Sequence, residues 1–404
     1  MSRIAWYSNS CAVPSGYGMQ SAQVVHQMVK DGHEPAIVAN HGAQFLMNCT
    51  HGHPILPEGL MRYSIDAAPE NIKSWIGDQP GFGVVLFDLW PLTGIEAFKE
   101  LNLACWTPVD HQPLPPLVAR FLAEGGHHAI AMSRFGEQEL LKAGVPREEV
   151  TYIPHGIDTA VFNDRGKGAR AAMGLPEDCF LVVTNAANRG RIPIRKAFGE
   201  MADAMATFMR DRPDVYWMIH TEPQGLSEGV NLPRLMQATG VDSQRVRYPH
   251  PIQFRNGIPQ DAIASLYSAA DVQLLTSMGE GFGIPAVESQ ACGTPVIVSD
   301  FSAQPELVGA HGKKVPVQRV WDEFQGSFFA IPNVAAIVTS LQEVYEETKA
   351  GKVDRGAVAA EMHRYDQTAL YNASWKPLIE MMTARKRAPQ PANRAERRAS
   401  KKGR

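Results

Sequence analysis

The stretch "GEGFGIPAVESQACGTPVIVSD", residues 279–300, sets Glu280 and Glu288 eight positions apart around a glycine-containing turn. Pro285 sits where a first helical residue belongs, because its ring presets φ and its missing N–H costs nothing in the first turn. Gly293 supplies a left-handed stop. The pattern predicts a helix from about Pro285 to Cys292, with the loop "EGFGI" at its N-terminus. Upstream, "DVQLLTS" (271–277) reads as a strand, and downstream "TPVIVSD" (294–300) reads as the next. The loop therefore lies at the carboxyl end of a strand, which is where ligands bind in a doubly wound sheet.

The same rhythm extends in both directions. "RIAWYS" (3–8) is a short β-like run, followed by the loop "NSCAVPSGYG" and a helix from about Met19 to Lys30 that Gly32 stops. Ala22, Val25, Met28 and Val29 give that helix an apolar face at helical spacing. "EPAIVAN" (34–40) resumes as a strand, and "GFGVVLFDLW" (81–90), "LACWTPVD" (103–110) and "HAIAMS" (128–133) add strand-like runs. The first half is thus expected to be an open, mostly parallel sheet with helices on its faces. The polar stretch "DRGKGAR" (164–170) suits a linker, after which "CFLVVTNA" (179–186), a helix over 197–210, "VYWMIHT" (215–221) and a helix over 258–270 restart the pattern. Long helical stretches at 334–350 and 367–384 close the fold.

The helix start supplies two unlike groups. The amides of Gly281, Phe282, Gly283 and Ile284, with the positive end of the helix dipole, suit a phosphate. The two glutamates beside them are acceptors for hydroxyls. Phosphates in the middle and polyols at both ends describe a nucleotide-sugar. The plainer alternative is that Glu288 favours the helix dipole and Glu280 is solvated.

These residues resemble the E-x7-E segment of retaining GT-B glycosyltransferases, most closely glycosyltransferase family 4. "VKDGHEPAIVAN", "VTYIPHGIDTAVF" and "IASLYSAADVQLLTS" are similar to further family pieces in the family's order, so the likeness covers roughly residues 3–345. It implies that Glu288 accepts from ribose hydroxyls and that Glu280 contacts the transferred sugar. It also implies that the amides of Phe282, Gly283 and Ile284 hold the distal phosphate or sugar. An arginine and a lysine after the first strand of the second domain would neutralise the diphosphate. "NAANRGRIPIRKAFGE" offers Arg189, Arg191, Arg195 and Lys196, with Lys196 the best match and Arg191 the preferred arginine. In the first domain, "PSGYG" is similar to the family's glycine-bearing loop and implicates Gly16 and Gly18 by backbone, an ordinary tight turn being the alternative. His111 in "TPVDHQPLPP" matches a histidine that the family places beside the reacting carbon, and Asp110 is there to orient it or bind acceptor; an ordinary loop histidine is the alternative. No Asp-x-Asp pair is present, so no metal requirement is expected.

Composition bounds the rest. With 404 residues, 44% hydrophobic and 20% charged, the chain suits two domains and a soluble globular class. No run approaches the ~20 apolar residues of a membrane span, and "MSRIAWYSNS" is too short in apolar run for a secretory signal. The five cysteines, Cys11, Cys49, Cys105, Cys179 and Cys292, are scattered and read as reduced cytosolic residues, neither disulfide framework nor zinc site. Residues 385–404 carry nine Lys and Arg against Glu396, a charge of +8 that leaves −11 of the total −3 for the body. This segment reads as a disordered basic tail, either merely solvated or contacting an anionic surface or nucleic acid.

The expected architecture is therefore α/β of the GT-B type, two facing Rossmann-like doubly wound domains with a cleft between them. Residues 1–165 would form the acceptor domain and 166–365 the nucleotide-sugar donor domain, with 366–384 a closing helix returning to the first and 385–404 the tail. The expected activity is retaining transfer of a hexose-type unit from a nucleoside diphosphate sugar, with no cofactor, to an acceptor that is a glycan, lipid, protein or nucleic acid. A nucleotide-sugar epimerase or hydrolase, or a non-catalytic binding protein, stands as the alternative. The expected location is cytoplasmic, with the tail allowing peripheral contact to an anionic surface.

Overall fold

A computed structural model describes residues 1–49, 52–190 and 194–385. Two sheets organise the chain. The first contains β1 (Arg3–Asn9), β2 (Glu34–His41), β3 (Met47–Asn48), β4 (Pro54–Leu56), β5 (Gly81–Val85), β6 (Leu103–Thr107), β7 (His128–Ala131) and β8 (Val150–Tyr152). Its order is β3-β4-β2-β1-β5-β6-β7-β8, and only the β3/β4 pair is antiparallel. The second contains β9 (Phe180–Asn185), β10 (Val215–His220), β11 (Val246–Arg247), β12 (Val272–Leu275), β13 (Val296–Ser299) and β14 (Lys313–Val315), in the order β11-β10-β9-β12-β13-β14. Every pair in it is parallel. A separate antiparallel hairpin, β15 (Val317–Asp322) and β16 (Ser327–Pro332), follows it.

The strand orders locate two switch points, where the crossover direction reverses and a crevice opens at the carboxyl ends. In the first sheet the reversal lies between β1 and β5. In the second it lies between β9 and β12. The loops after these four strands are therefore the ones that the topology aims at a ligand.

Local chemistry explains where the elements begin. The helix expected from Met19 starts at Gly16 because Ser15 caps it, its Oγ accepting from the Gly18 N–H at 3.1 Å. A Cβ on Gly18 would sit 2.2 Å from the Val13 carbonyl oxygen, so this turn needs glycine. The helix expected from Pro285 spans Ile284–Ala291, and Gly283 before it has φ 113°. Several expected strands are shorter than their apolar runs, since β5 ends at Val85 ahead of a 3-10 turn at Trp90–Leu92. Within 41–80, where no motif is legible, the chain forms β3, β4 and a helix at Ala68–Ile76.

The end of the described chain packs on the first sheet. Trp375 stacks edge-on with Trp106 at 4.9 Å between ring centroids and tilts against Trp6 at 5.4 Å. Asn102 Nδ2 donates to the Met382 carbonyl at 3.2 Å, and the Thr383 and Ser2 hydroxyls are bonded at 3.0 Å. Of the basic stretch 385–404, only Arg385 falls among the described residues, where it pairs with Glu149 at 2.7 Å. In the second sheet, buried Asp271 meets Arg170 Nη2 at 2.7 Å and accepts from the Leu181 N–H at 2.7 Å. This ion pair ties the segment before β9 to the start of β12. No helix among the described residues is long and apolar enough to cross a membrane.

Candidate functional site

The loops after β9 and β12 converge as the second switch point requires. Lys196 Nζ and Arg195 Nη1 both meet the Glu280 carboxylate, Arg195 at 3.0 Å from Oε2. Arg195 also donates to the Gly279 carbonyl, and the Glu280 N–H donates to Ser302 Oγ at 2.9 Å. Glu280 is buried, 7% exposed. Burial alone raises the Glu280 carboxyl, but the Lys196 ammonium and then the Arg195 guanidinium overcome it and hold it down at about 2. Burial and the neighbouring Arg195 push the Lys196 ammonium below its ordinary value even with Glu280 beside it. Arg195 and Lys196 therefore share Glu280 as partner. The preferred Arg191 lies outside the described residues, and Arg189 is exposed.

Glu288 has a different environment. It lies one turn into the helix Ile284–Ala291, is 4% exposed, and among the described residues no cation pairs with it. The Tyr267 hydroxyl donates to Oε2 at 3.1 Å, and Asn185 Nδ2 donates to that hydroxyl at 2.6 Å. Burial pushes the Glu288 carboxyl up to about 7, against a smaller lowering by Tyr267. The two glutamates are therefore opposites, one fixed as a carboxylate and one poised near neutrality.

The first sheet closes on this cluster. A Cβ on Gly279 would lie 2.2 Å from the Asp110 carbonyl oxygen, and one on Gly281 would lie 2.3 Å from Pro108 Cβ. Both glycines are needed where the loop after β12 meets the loop after β6. Gly16 faces Ile284, 3.6 Å from where its Cβ would be, so the starts of the two switch-point helices touch. The Phe282 side chain turns inward, against His155 and Tyr365, leaving only its backbone for a ligand.

His111 is held on both sides. Its Nδ1 lies 2.6 Å from Asp110 Oδ1, and its Nε2 lies 3.2 Å from Asp322 Oδ2 on the β15–β16 hairpin. The ring lies on Phe329 with 3.6 Å between centroids. Burial lowers the imidazole, but Asp110 and then Asp322 raise it above its ordinary value. Asp110 goes the other way: burial raises it, and the bond and charge of His111, with Arg195 3.7 Å away, bring it to about 2. Behind them, burial and the Asp110 charge push the Asp88 carboxyl up to about 6. The hairpin also bonds the first domain through Gln112 N–H to the Phe328 carbonyl at 3.1 Å, and Phe324 packs edge-on against Trp90.

The structure thus brings together Gly16, Asp110, His111, Lys196, Glu280 and the 281–284 loop, with Glu288 one helical turn further on. Sequence reasoning missed Asp88, Asp322, Tyr267 and Asn185. Asp88 follows β5 at the first switch point, a positional signal that was available. Asp322 has none, because it acts through a tertiary contact.

Two parallel sheets of reversed strand order, meeting through their switch-point loops, define a GT-B protein. Residues 243–354 match the family model described as "Glycosyl transferases group 1", so the chain is a GT-B protein carrying a glycosyl transferases group 1 segment. A D-inositol 3-phosphate glycosyltransferase of Streptomyces bingchenggensis is 28% identical over 267 residues, covering 60% of this chain and 58% of that protein. The chain thus spans little more than half the length of that relative. Among solved structures, the sucrose-phosphate synthase of Thermosynechococcus elongatus superposes with TM-score 0.71 at 17% identity, covering 95% of this chain and 100% of that one. Anabaena HepE in complex with UDP-glucose superposes with TM-score 0.66 at 17% identity, covering 93% and 99%.

Proposed function

We propose that this protein is a retaining glycosyltransferase that moves a hexose-type unit from a nucleoside diphosphate sugar to an acceptor hydroxyl. The observation that carries the reading is the convergence of Arg195 and Lys196 on Glu280 at the second switch point, beside the amides of residues 281–284. Similarity to glycosyltransferases, and to a fold crystallised with UDP-glucose, supports it.

The chemistry follows from charge. As the bond between the anomeric carbon and the diphosphate breaks, the leaving group gains negative charge, and preorganised cations stabilise that charge more in the transition state than before it. Glu280 pairs with both cations. An arriving diphosphate competes for them and frees the Glu280 oxygens to accept from sugar hydroxyls. Glu288 accepts from the ribose hydroxyls, and the backbone of Gly16 and Gly18 approaches the diphosphate from the first domain. The two side chains supply the positive charge that a divalent ion would otherwise bring to the diphosphate. The acceptor oxygen then attacks the face the leaving group departs from. The new carbon–oxygen bond forms as the old one breaks, and the acceptor proton passes to a phosphate oxygen of the leaving nucleoside diphosphate.

His111, oriented by Asp110, sits on the acceptor side with its Nε2 engaged by Asp322, so the hairpin withdraws when the sugar occupies this position. The proposed setting is the cytoplasm. The segment 385–404 would bring the enzyme to an anionic surface or nucleic acid by phosphate contacts.

The test is nucleoside diphosphate release from a panel of UDP-, GDP- and ADP-sugars with a mixed acceptor pool, without added Mg2+ or Mn2+. Acceptor-dependent release that Lys196→Ala and Glu288→Ala abolish is expected. Release of free sugar or an epimer from donor alone would move the reading to a hydrolase or epimerase, and donor binding without turnover would reduce it to a binding protein.

A further inference from the structure

The five cysteines look scattered in sequence, yet two of them meet in space. Cys11 follows β1 and Cys49 follows β3, and their sulfurs lie 3.3 Å apart, not joined in a disulfide. His53, 3% exposed, stands immediately before β4 on the other side of the same turn. The Cys49 N–H donates to the His53 carbonyl at 2.9 Å, and the Gly52 N–H donates to the Cys49 carbonyl at 2.9 Å. The β3/β4 pairing therefore fixes Cys49 and His53 relative to each other, and the β1 loop brings Cys11 to them. The two sulfurs and an imidazole nitrogen all lie within 4.8 Å of one another, the single such grouping of three potential ligands among the described residues.

We propose that Cys11, Cys49 and His53 bind a zinc-class divalent cation that ties the loop after β1 to the β3–β4 turn. Thiolate and imidazole are the donors such an ion selects, and a tetrahedral ion bound at about 2.3 Å to sulfur and about 2.0 Å to nitrogen spaces its ligands roughly 3.5–3.8 Å apart. The observed 3.3 Å between sulfurs and the 4.8 Å outer limit bracket that spacing, so small side-chain movements complete the site. Solvent takes the fourth position.

The cation is distinct from the proposed chemistry at the diphosphate, whose charges come from residues of the second sheet. Its effect is mechanical. The loop it tethers, residues 10–15, ends at Ser15, which caps the helix that begins with Gly16.

The test uses the full chain, purified reduced, stripped with a chelator and titrated with Co2+ as a spectroscopic stand-in. About one equivalent is expected, with the thiolate-to-cobalt absorption and tetrahedral ligand-field bands of such a site. Both signals should vanish in the Cys11→Ser/Cys49→Ser double variant, weaken in His53→Gln, and be displaced by Zn2+. Because a variant can fail to fold, alkylation of the wild-type protein is followed in parallel by mass spectrometry, where Zn2+ should protect Cys11 and Cys49. No cobalt absorption, or absorption that survives the double variant, overturns the proposal. So does unprotected alkylation at both thiols, or a metal-indifferent Cys11–Cys49 disulfide.

Discussion

Glu288→Gln changes how donor binding depends on pH, and the size of the change follows from the side chain's surroundings. Burial opposes the Glu288 charge and pushes its carboxyl up to about 7, against the hydrogen bond from Tyr267. A group whose folded pKa is raised above its unfolded value contributes stability that is full below the unfolded pKa and is lost as pH rises through the folded one. For Glu288 the loss begins above the ordinary 4.5 and is complete past about 7. In the proposed role, ribose hydroxyls would donate to the carboxylate and reverse this, so donor binding would expel a proton. About a tenth of Glu288 is ionised at pH 6 and about nine-tenths at pH 8, so donor affinity should rise roughly tenfold over that interval and then level. The assay is isothermal titration of a nucleotide-sugar, whose diesterified diphosphate does not titrate in this range, in buffers of different ionisation heat to count the released proton. Glu288→Gln should flatten the profile. Its affinity should approach that of wild type at pH 6 and fall about tenfold or more behind at pH 8, the range for losing a charged hydrogen bond of about 1.5–3 kcal/mol. A wild-type profile flat from pH 6 to 8, or a slope that persists in Glu288→Gln, would refute the assignment.

Three other outcomes are expected. Asp322→Asn should lower the His111 titration midpoint followed by imidazole NMR, and should reduce the stability that this raised histidine contributes at low pH and surrenders as pH passes its folded midpoint; an unmoved midpoint would mean that the hairpin carboxylate does not hold the ring. Arg170→Met leaves Asp271 only Lys167 and the Leu181 N–H and should destabilise the protein in denaturant unfolding by less than the about 3–5 kcal/mol of a fully unpaired buried charge, with Arg170→Met/Lys167→Met costing more than Arg170→Met alone. Deleting residues 386–404 should remove salt-dependent retention on anionic vesicles or DNA while leaving donor affinity unchanged, and equal retention by the full chain would end the tail's proposed role.

The βαβ unit at 272–299 is legible because Pro285 and Gly293 punctuate it, and because the carboxyl end of a parallel strand has a fixed meaning in such a sheet. Strand ends are less legible: in "GFGVVLFDLW" the apolar run stays buried past Val85, and Leu86 N–H still donates to the Tyr7 carbonyl at 2.9 Å although the strand has ended. The hairpin at 317–332 escapes detection because its alternation is imperfect and its purpose lies across the cleft, at His111. Nothing local in "NRGRIPIRKAF" singles out Arg195, since its role depends on a side-chain contact with Glu280, 85 residues away. Two cysteines 38 residues apart likewise reveal no shared site until β1 and β3 are placed in one sheet. The opposed states of Glu280 and Glu288 are also tertiary, because the cations that set the first come from another loop and the shell that raises the second is the fold itself.

Lys196 and Arg195, both paired with Glu280, are proposed to stabilise the departing diphosphate. The most direct test of this role is the single-turnover rate of nucleoside diphosphate release, with saturating donor and acceptor, for wild type and Lys196→Ala. Loss of one preorganised charge from the transition state should slow release about 100- to 1000-fold while donor affinity changes far less. Equal single-turnover rates in the two proteins would contradict it.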